Sequence, residues 1–174
     1  TAAMLYQVLS VPIQASPWYL RPDPADVVET RDDKGNKTVT HPQADFAEAA
    51  LRNPEHKGGM STPFSNIMAN ICLAFAQGHR VFEIVYKISD EGQYVFKKVV
   101  AREDDTNEKQ KDETGGFAGV KQTVSKDGKT VTVFIDLPYC FLFTHKKERK
   151  PLLGQTAFRA AYYHYDKKHR LYYL

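Results

Sequence analysis

An α+β fold, with antiparallel β-hairpins packed with a central amphipathic helix and terminal helices, is what the 174 residues predict. Three observations carry that expectation. Phe64, Ile67, Met68, Ile71, Cys72 and Phe75 fall at i, i+3, i+4, i+7, i+8 and i+11, the stripe of a helix with one apolar face. After Gly78 the apolar period changes from 3.6 to 2, and turn formers at Asp90-Glu91-Gly92 and Asp127-Gly128 separate β-rich runs. From Gln155 onward there is no Pro or Gly, and Phe158, Tyr162, Tyr165, His169 and Tyr172 recur at spacings of four, three, four and three, a second helical stripe.

In order along the chain, Ala2 to Ile13 reads as a helix with Leu5, Val8 and Leu9 on one face and Pro12 closing it. Pro17 to Arg21 reads as a short strand between prolines. Asp26 to Thr40 reads as a hairpin, because Val27, Val28, Thr38 and Val39 flank Asp32-Asp33-Lys34-Gly35-Asn36, and its low apolar content predicts exposure. Gln43 to Arg52 is a short helix with Phe46, Ala47, Ala50 and Leu51 inward, ended by Asn53-Pro54. Ser61 or Thr62 caps the central helix, Pro63 suits its first turn, and Gly78 is its left-handed stop. Burying that apolar stripe at ~1.5–3 kcal/mol per side chain makes this helix the centre of the body.

Strands are expected at His79 to Ser89, Gln93 to Arg102, Val120 to Ser125 and Lys129 to Asp136. Pro138 then interrupts before a last strand, Cys140 to Thr144. Glu103 to Gly116 is polar and charge-dense, and reads as an exposed, mobile connection. Thr156 has the hydroxyl to cap the first turn of the C-terminal helix, and Gly154 gives that helix a flexible lead-in. Because no stop signal follows Leu171 and the chain opens at Thr1 without Met, an excised part of a longer protein is expected.

At 42% hydrophobic and 26% charged residues the composition suffices to pack a core. No apolar run approaches the ~18–20 residues of a membrane span, and no signal-peptide order opens the chain, so no membrane partner is expected. Cys72 and Cys140 are far apart and read as buried free thiols rather than a disulfide.

Catalytic and cofactor chemistry finds no support. There is no Gly-x-x-x-x-Gly-Lys-Ser/Thr loop, His-Glu-x-x-His, Cys-x-x-Cys or Gly-x-Ser-x-Gly, so no enzyme, no cofactor and no metal are expected. His164 and His169, five apart, stand ~140° apart around a helix and cannot share a metal as an i, i+4 pair does. Gly115 to Gly119 lacks the strand-to-helix setting of a phosphate cradle and reads as a flexible loop end. Glu83 lies inside the apolar run Val81 to Tyr86, where it either faces solvent or pairs with a cation such as Arg80 or Arg159; a catalytic role is the remote alternative.

Charge is uneven. Residues 155–174 set Arg159, Lys167, Lys168 and Arg170 against Asp166, a net +3, and Lys146, Lys147, Arg149 and Lys150 against Glu148 give another +3. With +3 overall, the rest of the chain is −3, so a basic end sits on an acidic body. Arg and Lys beside Tyr suit phosphates and stacked bases, which makes a stand-alone nucleic-acid-binding module one reading. Against that reading, the aromatics form the stripe expected to pack inward.

Pro151, Gly154, Thr156, Arg159, Ala161, Tyr162, Tyr165 and Lys168 form a pattern that resembles the segment of tailed-phage portal proteins where the wing domain runs into the first long stem helix. Two further stretches resemble the same family in the same order: Ala3, Pro12-Ile13, Trp18, Leu20 and Pro22, and then Phe75, Gly78 and Phe82 to Tyr86. The resemblance implies a wing-like domain over residues 1–150 and a truncated stem helix over 151–174. It implies a structural subunit of a ring, dodecameric in the family, at the capsid vertex of the virion, assembled in the host cytoplasm. Double-stranded DNA would pass through the channel, and terminase, capsid and tail connector proteins would be partners. On this reading Arg159, Lys167, Lys168 and Arg170 touch a neighbouring subunit or DNA, while Phe75, Gly78, Glu83, Gly154, Tyr162 and Tyr165 are structural.

Overall fold

A computed structural model describes residues 2–126, 128–147 and 152–172. Asp127 of the predicted turn, Glu148 to Lys150 of the basic run, Pro151 of the portal-like pattern and the chain's terminal residues lie outside them. The elements are helices α1 (Ala2–Ala15), α2 (Pro42–Arg52), α3 (Phe64–Gln77) and α4 (Arg159–Tyr172), with strands β1 (Val28–Arg31), β2 (Lys37–Thr40), β3 (His79–Ile88), β4 (Tyr94–Arg102), β5 (Asn107–Lys111), β6 (Phe117–Lys126), β7 (Lys129–Asp136) and β8 (Cys140–Thr144). The sheets run β1-β2, β4-β3-β8 and β5-β6-β7, and the expected α+β architecture is what forms. No described helix is long and apolar enough to cross a membrane.

The chain divides into two compact units. The first comprises residues 1–15, 65–84 and 99–174. Its core joins Val81 of β3, Val120 of β6 and Cys140 of β8, with Phe117, Ile135 and Leu142 packed on them. Phe82 is fully buried and stacks on Phe141 at 4.8 Å. Ile67, Met68 and Cys72 form the buried stripe of α3, as the spacing predicts, and both Cys72 and Cys140 are free buried thiols whose pKa burial pushes up.

α1 differs from expectation in length and in face. Pro12 lies inside the helix, which continues to Ala15, so the hydrogen bond that Pro12 cannot donate does not end it. The side turned inward is Tyr6, Ser10 and Ile13, not Leu5, Val8 and Leu9. Tyr6 Oη donates to the Ala69 carbonyl at 3.5 Å and Ser10 sits against Cys72. In a helix without a charged residue the hydropathy pattern has little contrast, and polar bonds to α3 choose the face.

Glu103 to Gly116 is also not the open loop its composition suggests. Asn107–Lys111 pairs with β6 as an edge strand, with Asn107 opposite Gln122 and Lys109 opposite Val120. Pairing along an edge needs backbone groups, not apolar side chains, so the period and hydropathy of this stretch hid it. The glycines that follow close a tight turn: Asp112 Oδ1 accepts from Thr114 N at 2.9 Å and Gly116 N at 2.7 Å, and Gly115 takes φ +83°.

The second unit comprises residues 16–64 and 85–98. β1 and β2 form the expected hairpin, exposed along both strands, around an Asp32 turn that repeats the Asp112 design: its carboxylate accepts from Lys34 N and Asn36 N, and Gly35 takes φ +80°. Hydrogen bonds to both carboxylates hold their pKa below the usual value. α2 gets no side-chain cap from its own N-cap residue His41. Asp26 supplies one from 17 and 18 residues away, accepting from Gln43 N at 3.2 Å and Ala44 N at 3.0 Å. Pro17 to Arg21 forms no strand, since Pro17 and Pro22 each remove a ladder donor.

Candidate functional site

The sequence singles out the C-terminal helix, and the structure explains how it is held. α3 ends where Gly78 adopts φ +88°, a conformation that any residue with a Cβ resists. A Cβ on Gly78 would lie 2.5 Å from the Gly154 carbonyl oxygen, and one on Gly154 would collide with the carbonyls of both His145 and Gly78. Gly154 is therefore needed for closeness of approach, not as a flexible lead-in.

Around this double-glycine contact the backbone is stitched together. His145 N donates to Gly78 O at 2.9 Å, Gln155 N donates to His145 O at 2.8 Å, and His145 Nδ1 lies 2.8 Å from the Gln155 carbonyl, which makes Nδ1 the protonated nitrogen. The Phe75 carbonyl accepts twice, from Ala157 N at 2.7 Å and Thr156 Oγ1 at 3.2 Å. Thr156 Oγ1 in turn accepts from Phe158 N at 3.1 Å, the capping role expected of it, although the helix proper begins at Arg159. The Phe75 ring meets His145 edge-on at 5.0 Å and is half-buried rather than fully inward. Phe75, Gly78 and Gly154 thus converge on one anchor, the root of α4.

Beyond that root the expectation of inward packing fails. Tyr162, Tyr165 and Tyr172 are 68%, 65% and 75% exposed, and no described residue of α4 is buried. The stripe is real, but from Tyr162 on no described part of this chain covers it, and only Phe158 at the root is half-buried. The cations beside it are engaged within the helix: Lys167 Nζ sits 4.3 Å above the Tyr163 ring, Lys168 Nζ 5.6 Å from the Tyr172 ring, and Arg170 Nε 3.0 Å from Asp166 Oδ2. Arg159 is exposed on the first turn.

Glu83 stands apart from this helix. Its carboxylate pairs with Arg102 at the end of β4, not with Arg80 or Arg159. Arg80 instead reaches Gln77 Oε1 at 3.2 Å and lies 3.9 Å from Glu103. The pairing places Glu83 at the edge of the core as a structural ion pair. Nearby charge gathers where sequence reasoning did not look: Asp104 Oδ1 lies 3.3 Å from His79 Nε2 and 2.9 Å from Lys109 Nζ. Burial pushes the His79 imidazole below its ordinary pKa, against the opposing pull of Asp104.

Other places for chemistry are poor. Among the described residues no group of three His, Cys, Asp or Glu could hold a metal. A cleft of about 360 Å³ in the second unit, lined by Phe46, Ala50, Lys57, Asp90, Glu91 and Val95, contains none of the predicted site residues. The sequence model of the family described as the portal protein of Mu bacteriophage matches residues 3–172. No curated protein matches the chain.

Proposed function

Because the chain belongs to the family of Mu bacteriophage portal proteins, whose role is structural, we propose that it is one subunit of a portal ring at the capsid vertex. The ring, dodecameric by resemblance, forms the channel for DNA packaging and ejection and the attachment point for terminase, capsid and tail connector proteins. Residues 1–150 supply the wing, and 151–174 begin the stem. The protein resides in the virion and, during assembly, in the host cytoplasm.

The observation that carries this reading is α4: a helix rigidly anchored at its root, with Tyr162, Tyr165 and Tyr172 on its uncovered side. Exposed aromatics in a row are costly on a free monomer and are typical anchors of an interface. Electron microscopy of the full portal chain tests the proposal. Rings with a central hole are expected, and a monodisperse monomer would overturn it.

A stand-alone nucleic-acid-binding module is favoured by the +3 charge of residues 155–174 and by the exposed tyrosines beside it. Three of those four cations, Lys167, Lys168 and Arg170, already sit on partners within α4. They support the helix as well as its charge.

A further inference from the structure

We infer that the apolar face of α1 is the seat for the aromatic face of α4 from a second copy of this chain. The inference rests on the portal-ring reading and adds which surfaces meet.

α1 has 14 residues and no Asp, Glu, Lys, Arg or His. Met4, Leu5, Val8, Leu9 and Val11 are each 40–64% exposed. At ~100° per residue they cover an arc of about 160°, opposite the Tyr6, Ser10 and Ile13 side that is turned inward. Together they offer on the order of 450 Å² of apolar surface, as much as the largest patch on a typical monomer. Such a face suits a partner that brings no charge, since a cation or phosphate pressed onto it would lose water and find no counterion.

The α4 stripe has the matching character. Tyr162, Tyr165 and Tyr172 share one arc with Phe158 and His169, while Lys168 flanks it on one side and Arg159 and Arg170 on the other, so the cations stay at the rim. Both helices are 14 residues, ~21 Å long, and both belong to the same compact unit. The three tyrosines present an area similar to the α1 face, so mating the two would remove at most on the order of 900 Å², just under the ~1,000 Å² a specific interface needs before any other ring contact is added. Because the two faces differ, the contact is heterologous: each copy uses its α1 towards one neighbour and its α4 towards the other, the geometry from which rings close.

The test uses the full portal chain. Val8→Asp is expected to lower the ring fraction at least tenfold at micromolar concentration, read by light scattering and negative-stain microscopy, with the melting curve of the monomer unchanged because Val8 is exposed. Val8→Cys combined with Tyr165→Cys should give oxidised ladders of linked copies, and neither substitution alone should link two copies. Intact rings from Val8→Asp would overturn the inference while leaving the portal reading standing. So would a lower monomer melting temperature, which would mean that another part of the same chain covers α1, or a disulfide-linked dimer from Val8→Cys alone, which would mean that α1 pairs with itself. If the unmutated chain forms no ring, the portal reading fails, and the cysteine pair at high protein concentration decides the α1–α4 contact independently.

Discussion

Substituting Gly154 by Ala should be strongly damaging for a change of one methyl group. The Gly154 φ is not among the left-handed ones, so its backbone is open to any residue and the cost is entirely one of space. The added carbon would run into the backbone carbonyls of His145 and Gly78, neither of which can swing aside like a side chain. Relief requires separating the α3 end from the α4 root. Overpacking of this kind costs ~1–3 kcal/mol, and weakening the bonds of Gln155 N to His145 O and Ala157 N to Phe75 O adds ~0.5–1.5 kcal/mol each, so about 2–6 kcal/mol is expected. Gly35→Ala is the control: Gly35 has φ +80° but nothing within 4 Å of a Cβ, so only backbone strain of ~1–2 kcal/mol applies. Denaturant melts of both variants give the comparison, and hydrogen exchange at the Gln155 and Ala157 amides should accelerate in Gly154→Ala alone. If Gly154→Ala costs no more than Gly35→Ala, and those amides keep their protection, the close-approach argument is wrong.

Phe75→Ala should cost about 2–3 kcal/mol in a thermal melt, below the ~3–5 kcal/mol of a fully buried aromatic, because the ring is half-buried and loses chiefly its edge contact with His145; a change under ~0.6 kcal/mol would remove Phe75 from the anchor. His79 has a folded pKa below its ordinary 6.5, so the unfolded chain binds the proton first and stability should decline as pH falls through about 6.5; His79→Gln should flatten that slope in melts between pH 5 and 8. If residues 151–174 only begin the stem, as proposed, the 174-residue chain alone should be folded yet fail to form stable rings; light scattering at micromolar concentration would show a clean high-order species if this is wrong. Reversal of Lys167, Lys168 and Arg170 to Glu should disrupt rings of the full chain while the unmutated segment binds DNA weakly at physiological salt. Tight binding whose salt slope falls by roughly one unit per lost cation, with rings intact, would favour the nucleic-acid reading.

What could be read from the residues follows from where their information lies. α3 and the hairpin β6–β7 were legible because burial writes a period into the sequence: Ile67, Met68 and Cys72 recur at helical spacing, and Val120 and Ile135 face the core of the first unit. β5 left no such mark, as its membership of the sheet is written in backbone bonds to β6. The α2 cap was equally silent, because Asp26 reaches it through the fold rather than along the chain. α1 failed differently. With no charge to contrast against its apolar residues, five exposed side chains and three inward ones look alike in hydropathy.

The candidate site divides along the same line. Gly78 and Gly154 were each recognisable, one as a helix stop and the other within the portal-like pattern, yet nothing in the sequence says that their carbonyls and Cα atoms must touch across 75 intervening positions. The aromatic stripe of α4 poses the reverse problem. Its period was plain, and periodicity reports only that one face seeks burial, without specifying whose atoms will bury it. In a monomeric protein the answer is the chain's own core, and inward packing was the natural expectation. Here the root holds α4 through Phe75, Gly78, His145 and Gly154 while Tyr162, Tyr165 and Tyr172 remain open. A helix that is amphipathic by sequence, fixed at one end and uncovered by any described residue from Tyr162 on is what the proposed ring assembly would bury.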